Sequence, residues 1–189
     1  MKIQITLFTL LFCSSLWGQE FATGYTPMPK GEYEELKIAF CASMTDRKLP
    51  ASYVIPEHYF PTPGSQGNIG SCVGWSTGYA LASFYFAAKN KWGKPVTNNL
   101  IMSPTFVYNH IRQCNCGPNC GSYIGDALNL LRDKGFVTWQ TMPYNNEQAC
   151  NKPSENMYPI AAKNNISGWN RLINKLNFNE YKEHLSNDV

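Results

Sequence analysis

The feature that most constrains this chain is an abrupt change of texture at Cys72. Between Leu49 and Ser71 stand Pro50, Pro56, Pro61, Pro63, Gly64, Gly67 and Gly70. Proline fixes φ and glycine frees it, so this density means an extended, looping path rather than a helix. From Cys72 to Asn90 there is no proline, and glycine occurs only at 74 and 78. Val73, Trp75, Tyr79, Ala80, Leu81, Ala82, Phe84, Tyr85, Phe86, Ala87 and Ala88 spread around the whole circumference of such a helix. A helix apolar on all sides is a buried one. Any fold must be built around it, with Ser71 placed as its N-cap.

The remaining elements group about that helix. Ser103-Pro104 opens a second helix over Met102 to Arg112, in the favourable order of cap then proline. A third runs from Ile124 to Lys134, with Ala127, Leu128, Leu130 and Leu131 apolar and Gly135 as its stop. Short helices are expected at Glu32 to Phe40 and at Glu180 to Ser186. Strand signals are few, at Phe136 to Trp139 and Ile166 to Trp169. The 189 residues suit one globular domain or a large part of a bigger one. A net charge of +3 with no cluster of Lys and Arg excludes a nucleic-acid surface.

The start of the chain reads as an export signal. Lys2 precedes an almost wholly apolar run from Ile3 to Leu16, short for a bilayer span, and a small residue before Gln19 places cleavage after Gly18. A retained membrane anchor is the alternative. No other segment is long and apolar enough to cross a membrane, so no stable membrane insertion is expected after cleavage. The organisation expected is a signal peptide at 1–18, a linker or short pro-region at 19–48, and a domain at 49–189. The destination is secreted, periplasmic or cell-surface.

The segment Gln66-Gly67-Asn68-Ile69-Gly70-Ser71-Cys72-Val73-Gly74-Trp75 carries the chemistry. A cysteine in the first turn of a buried helix faces unpaired backbone N–H groups and the positive end of the helix dipole. Both favour thiolate, the nucleophilic form. Gly70 lets a substrate backbone approach closely. Gln66 is six residues earlier on a looping stretch. Folded back, its amide N–H and the Cys72 backbone N–H form an oxyanion hole.

These residues resemble the papain-like peptidases, in which a Gln-Gly-x-x-Gly-Ser-Cys motif runs into the central helix. Four further blocks extend the resemblance over roughly residues 49 to 186. Leu49-Pro50-Ala51-Ser52 stands at the expected start of the mature enzyme. Met102-Ser103-Pro104 with Phe106 and Tyr108 is similar to the family's second helix. Gly121-Ser122 followed by Ala127-Leu128 is similar to the loop and helix that line the substrate groove. Gly135-Phe136-Val137 and then Pro143-Tyr144 is similar to a later run. Ile69 stands where the family often has cysteine, Val73 where tryptophan commonly follows the nucleophile, and Ser122 where the substrate loop has a second glycine.

The resemblance implies a papain-like α+β fold, represented mainly by its helical left lobe with the right lobe largely missing. It implies a cysteine-type peptidase with Cys72 as nucleophile and Gln66 as oxyanion donor. Gly70, Ser71, Gly121 and Ser122 would hold an extended peptide or protein substrate, without cofactor or metal. The family's histidine falls about 130–150 residues beyond the cysteine, which is past residue 200, and its asparagine further still, so the domain is expected to be incomplete at its C-terminus and inactive as this chain. His184 reads as part of a polar helix face rather than as the base.

Without the signal and the nucleophile, Cys41, Cys114, Cys116, Cys120 and Cys150 remain for disulfides in an exported chain. The family precedent would pair Cys150 with a loop cysteine. His110 with Cys114, Cys116 and Cys120 could instead bind a metal, although Cys-x-Cys-x₃-Cys is not a standard finger spacing. A non-catalytic peptide-binding protein on the same lobe is the alternative from a different functional class.

Overall fold

The structure is a computed structural model that describes residues 24–39, 51–52, 54–115, 117, 120–145, 147, 149–172 and 182. The signal region, Cys41, Leu49-Pro50, Cys116, His184 and most of the expected 180–186 helix lie outside the described residues.

The central helix runs over 72–90, but only its ends are α-helical, at Cys72–Gly74 and Ser83–Asn90. Trp75–Ala82 is π-helical. The local chemistry accounts for the wider turn. In an α-helix the Val73 carbonyl would accept from the Thr77 N–H. Here Thr77 Oγ1 donates to it at 2.6 Å and Ser76 Oγ at 3.1 Å. Hydroxyls that bond back into a helix compete with its ladder and distort it.

The expectation of a helix buried on every side holds for one side. Val73, Gly74, Thr77, Gly78, Ala82, Ser83, Phe86 and Ala87 are buried. Leu81, in contrast, is 45% exposed and Ser76 faces solvent.

The Pro104–Ile111 helix packs on the buried side, and only His110 within it is not fully buried. A Cβ on Gly74 would fall 2.7 Å from the Pro104 carbonyl oxygen, and one on Gly78 would fall 2.9 Å from Val107. Glycine is therefore what lets the two helices approach this closely. The cap predicted at Ser103 is made, its Oγ accepting from the Phe106 N–H at 3.1 Å. The Ile124–Asp133 helix adds Ala127, Leu130 and Leu131 to a common core with Val73, Phe86, Phe106, Val107, Phe136 and Val137. Gly135 follows it with φ 77°.

Among the described residues β-structure is limited to three isolated bridges. Phe136–Trp139 contributes one of them, Met102 to Thr138, and Ile166–Trp169 contributes none. The short helix expected from Glu32 sits instead at Lys30–Glu35. Beyond it the chain turns extended because Ala39 N–H donates to Arg171 O at 2.7 Å and Arg171 N–H to Lys37 O at 2.9 Å. Pairing with a distant segment overrides the local helical preference.

Candidate active site

Cys72 is the first residue of the central helix, half-buried, and the one free thiol among the described residues. The turn before it is folded onto itself. Gly67 takes φ 65°, Gln66 Nε2 donates to Ile69 O at 3.1 Å, and Ser71 N–H donates to the same carbonyl at 2.8 Å. The helix then opens with Trp75 N–H donating to Ser71 O at 3.0 Å.

Ser71 occupies the N-cap position, but its side chain makes no capping bond. Its hydroxyl lies 2.6 Å from the Tyr144 hydroxyl. Tyr144 donates its single proton to Gln66 O at 2.6 Å. Ser71 must therefore be the donor in the Ser71–Tyr144 bond. Tyr144 thus ties both ends of the Gln66–Ser71 turn to a separate segment. That segment is itself held, because Ser103 Oγ donates to Met142 O at 2.6 Å and Thr105 Oγ1 to Pro143 O at 3.2 Å. The Tyr144 ring packs edge-on against Trp75, with centroids 5.0 Å apart. The sequence marks Pro143-Tyr144 as a block, but nothing in it singles out this hydroxyl.

Residues Gly121 and Ser122 meet the N-terminal segment. Ser122 N–H donates to Gly24 O at 2.8 Å, and Ser122 O accepts from Thr26 N–H at 3.0 Å, giving a parallel bridge to Tyr25. Gly24 is pressed against Gly70, since a Cβ on Gly24 would stand 1.6 Å from the Gly70 carbonyl oxygen. A Cβ on Gly121 would meet Thr26 Oγ1 at 2.1 Å, and one on Gly125 would meet the end of Met28 at 2.0 Å. Residues 24–28 therefore lie in a trough whose floor is Gly70, Gly121 and Gly125. Of the four residues read from sequence as substrate-binding, Gly70, Gly121 and Ser122 meet this stretch, itself read only as linker or pro-region, whereas Ser71 is buried and bonded to Tyr144.

The cysteine loop shapes this trough. Cys114 and Cys120 form a disulfide. Cys150 is disulfide-bonded as well. Gln113 N–H donates to Gly121 O at 2.9 Å, and Tyr108 OH donates to Cys120 O at 3.2 Å. The disulfide removes two of the thiolates that a metal reading needs. His110 is also engaged, through Phe106 O at 2.7 Å and the Tyr158 hydroxyl at 3.0 Å.

Burial pushes the Tyr108 phenol above its ordinary range, and negative charge at Tyr144 or Cys72 adds to this while Arg112 opposes it. Tyr108 is thus within electrostatic reach of the thiol. Burial holds the His110 imidazole below its ordinary value, against the pull of the Phe106 carbonyl. A surface cleft of about 330 Å³ lined by Asp133, Lys134, Glu155, Tyr158 and Ala162 shares no residue with the site.

The scaffold and the placement of its parts are papain-like, and the described residues form the helical lobe of that fold. Among solved structures the chain is similar to xylellain, a cysteine protease from Xylella fastidiosa, with a TM-score of 0.67 and 19% identity. The alignment covers 87% of this chain and 63% of that one, so the chain spans less than two thirds of that structure's length. A structure of the mite allergens Blo t 1 and Der p 1 aligns with a TM-score of 0.45 and 16% identity, over 66% of this chain and 39% of that one. No protein-family model and no curated protein matches the sequence.

Proposed function

We propose that these residues carry the nucleophile and one wall of the substrate cleft of a cysteine-type peptidase. The observation that carries this is the position of Cys72. It is a free thiol in the first turn of the central helix, directly after a pinned Gln66–Ser71 turn whose Gly70 is pressed against Gly24, the start of a segment that pairs with the Ser122 backbone.

In this reading the Cys72 thiolate attacks a peptide carbonyl carbon. The Gln66 amide and the Cys72 backbone N–H hold the oxygen as it gains charge; the leaving nitrogen takes a proton from solvent as the C–N bond breaks, so an amine departs and a thioester remains. Gly70, Ser71, Gly121 and Ser122 hold the peptide extended. The pairing of the Ser122 backbone with Gly24 and Thr26 supports that role. We assign the general base to no residue of this sequence. Such help contributes roughly 10²–10⁴-fold, so acylation of Cys72 by an ester, whose leaving group needs no proton, is the step these residues are expected to perform most readily. The same pairing supports reading residues 19–48 as a pro-region whose 24–28 stretch covers the groove. The Cys114–Cys120 disulfide supports export to an oxidising compartment.

One observation favours a second reading: the groove at Ser122 holds an extended segment through two backbone hydrogen bonds. A lobe that binds peptides without cleaving them would need no more. A thiol-directed peptidyl epoxide separates the two, since stoichiometric labelling of Cys72 removes the binding-only reading and an inert thiol in folded protein removes the peptidase.

A further inference from the structure

We infer that Tyr144 is a positioning residue for acyl transfer at Cys72, acting through the Gln66–Ser71 turn. The inference rests on the peptidase reading and adds to it a residue from a separate segment. The Tyr144 hydroxyl is the one side-chain group described that bonds both ends of this turn. It donates to Gln66 O at 2.6 Å and accepts from Ser71 Oγ at 2.6 Å. Gln66 and Ser71 flank the stretch that must present an amide N–H to the developing oxyanion and must deliver the Cys72 N–H at the helix start.

A turn rich in glycine has little rigidity of its own, and catalytic donors give their full effect only when preorganised. Tyr144 supplies the missing constraint. Its ring is wedged edge-on against Trp75, and the two residues before it, Met142 and Pro143, are anchored through Ser103 and Thr105 to the start of the Pro104–Ile111 helix. The hydroxyl bonds Ser71 and Gln66 rather than the Cys72 thiol, so its effect falls on reactions that build an oxyanion and spares those that do not.

Two reagents separate these cases on the folded chain. With 4-nitrophenyl acetate, the Cys72 sulfur pair forms a bond to the carbonyl carbon and the π pair moves to oxygen. That pair then returns to expel 4-nitrophenolate, leaving a thioester. Iodoacetamide is attacked at a saturated carbon, iodide leaves, and no oxyanion forms. Rates are taken relative to Cys72→Ala.

The expected result for Tyr144→Phe is a nitrophenolate burst slower by about tenfold, part of the 10²–10³-fold loss seen when an oxyanion donor is removed outright, with iodoacetamide alkylation unchanged. Ser71→Ala, which removes the proton given to Tyr144, is expected to shift the same ratio in the same direction by less. If both reagents slow equally, or neither slows, the positioning role is overturned while Cys72 stands as a reactive thiol. If the unaltered chain is alkylated but gives no burst, the oxyanion turn is overturned and Tyr144 with it. If neither reagent modifies Cys72, the peptidase reading itself fails.

Discussion

At the scale of single residues, environment decides which titratable groups matter. His110 is half-buried and bonded to the Tyr158 hydroxyl, and burial holds its imidazole below its ordinary value. The folded state therefore resists protonating it, whereas the unfolded chain takes up the proton near pH 6.5. The stability that a neutral His110 contributes is present above that pH and is lost as the pH falls below it. Thermal melts between pH 7.5 and 5 should show a fall in Tm towards acid that is smaller in His110→Gln than in the unaltered chain. Equal slopes would mean that His110 does not titrate on unfolding.

The place of Cys72 at the start of the central helix was legible in the sequence because a looping Pro/Gly stretch breaks sharply into a helical one at that point. Tyr144 was not, because its role lies in a bond to residues more than seventy positions away, and no local pattern encodes such a partner. Ser71 was legible as an N-cap by position only. Its hydroxyl is taken by Tyr144 instead of the helix N–H groups, a choice that only tertiary structure makes.

At the scale of elements, the three main helices follow from apolar patterning and from Ser103-Pro104, and all three appear close to their expected bounds. Their fine structure does not follow. The π-helical turns at Trp75–Ala82 come from two hydroxyls competing for one carbonyl, an effect invisible to periodicity.

The N-terminal segment is the clearest case of an element whose meaning is set by its contact. Gly24 has no room for a Cβ above Gly70. Gly24→Val is therefore expected to lift residues 24–28 from the trough. If that segment keeps the groove closed nine-tenths of the time, its release should raise the rate of labelling by a peptidyl epoxide by about tenfold. An unchanged rate would show that the segment does not limit access. Alkylation by iodoacetamide should change less, because Cys72 is already half-exposed.

At the scale of the whole molecule, stability rests on one main core where the central helix, Pro104–Ile111 and Ile124–Asp133 meet. Phe106 is fully buried there. Phe106→Ala should cost about 3–5 kcal/mol, read as a lower midpoint in denaturant titration. A cost near zero would mean that the core is not packed as described. The papain-like architecture was legible from the order of the blocks along the chain. The groove floor was legible only in part, since Gly125 and Met28 come together through folding and carry no joint signal in sequence.

The central claim is that Cys72 is a nucleophile at a peptide-binding cleft. It is tested most directly by treating the folded chain and its Gly24→Val variant with a thiol-directed peptidyl epoxide and locating the adduct by peptide mass. The account predicts one adduct per chain, on Cys72, formed faster in the variant and absent after Cys72→Ala. Folded protein that stays unlabelled in both forms would contradict it.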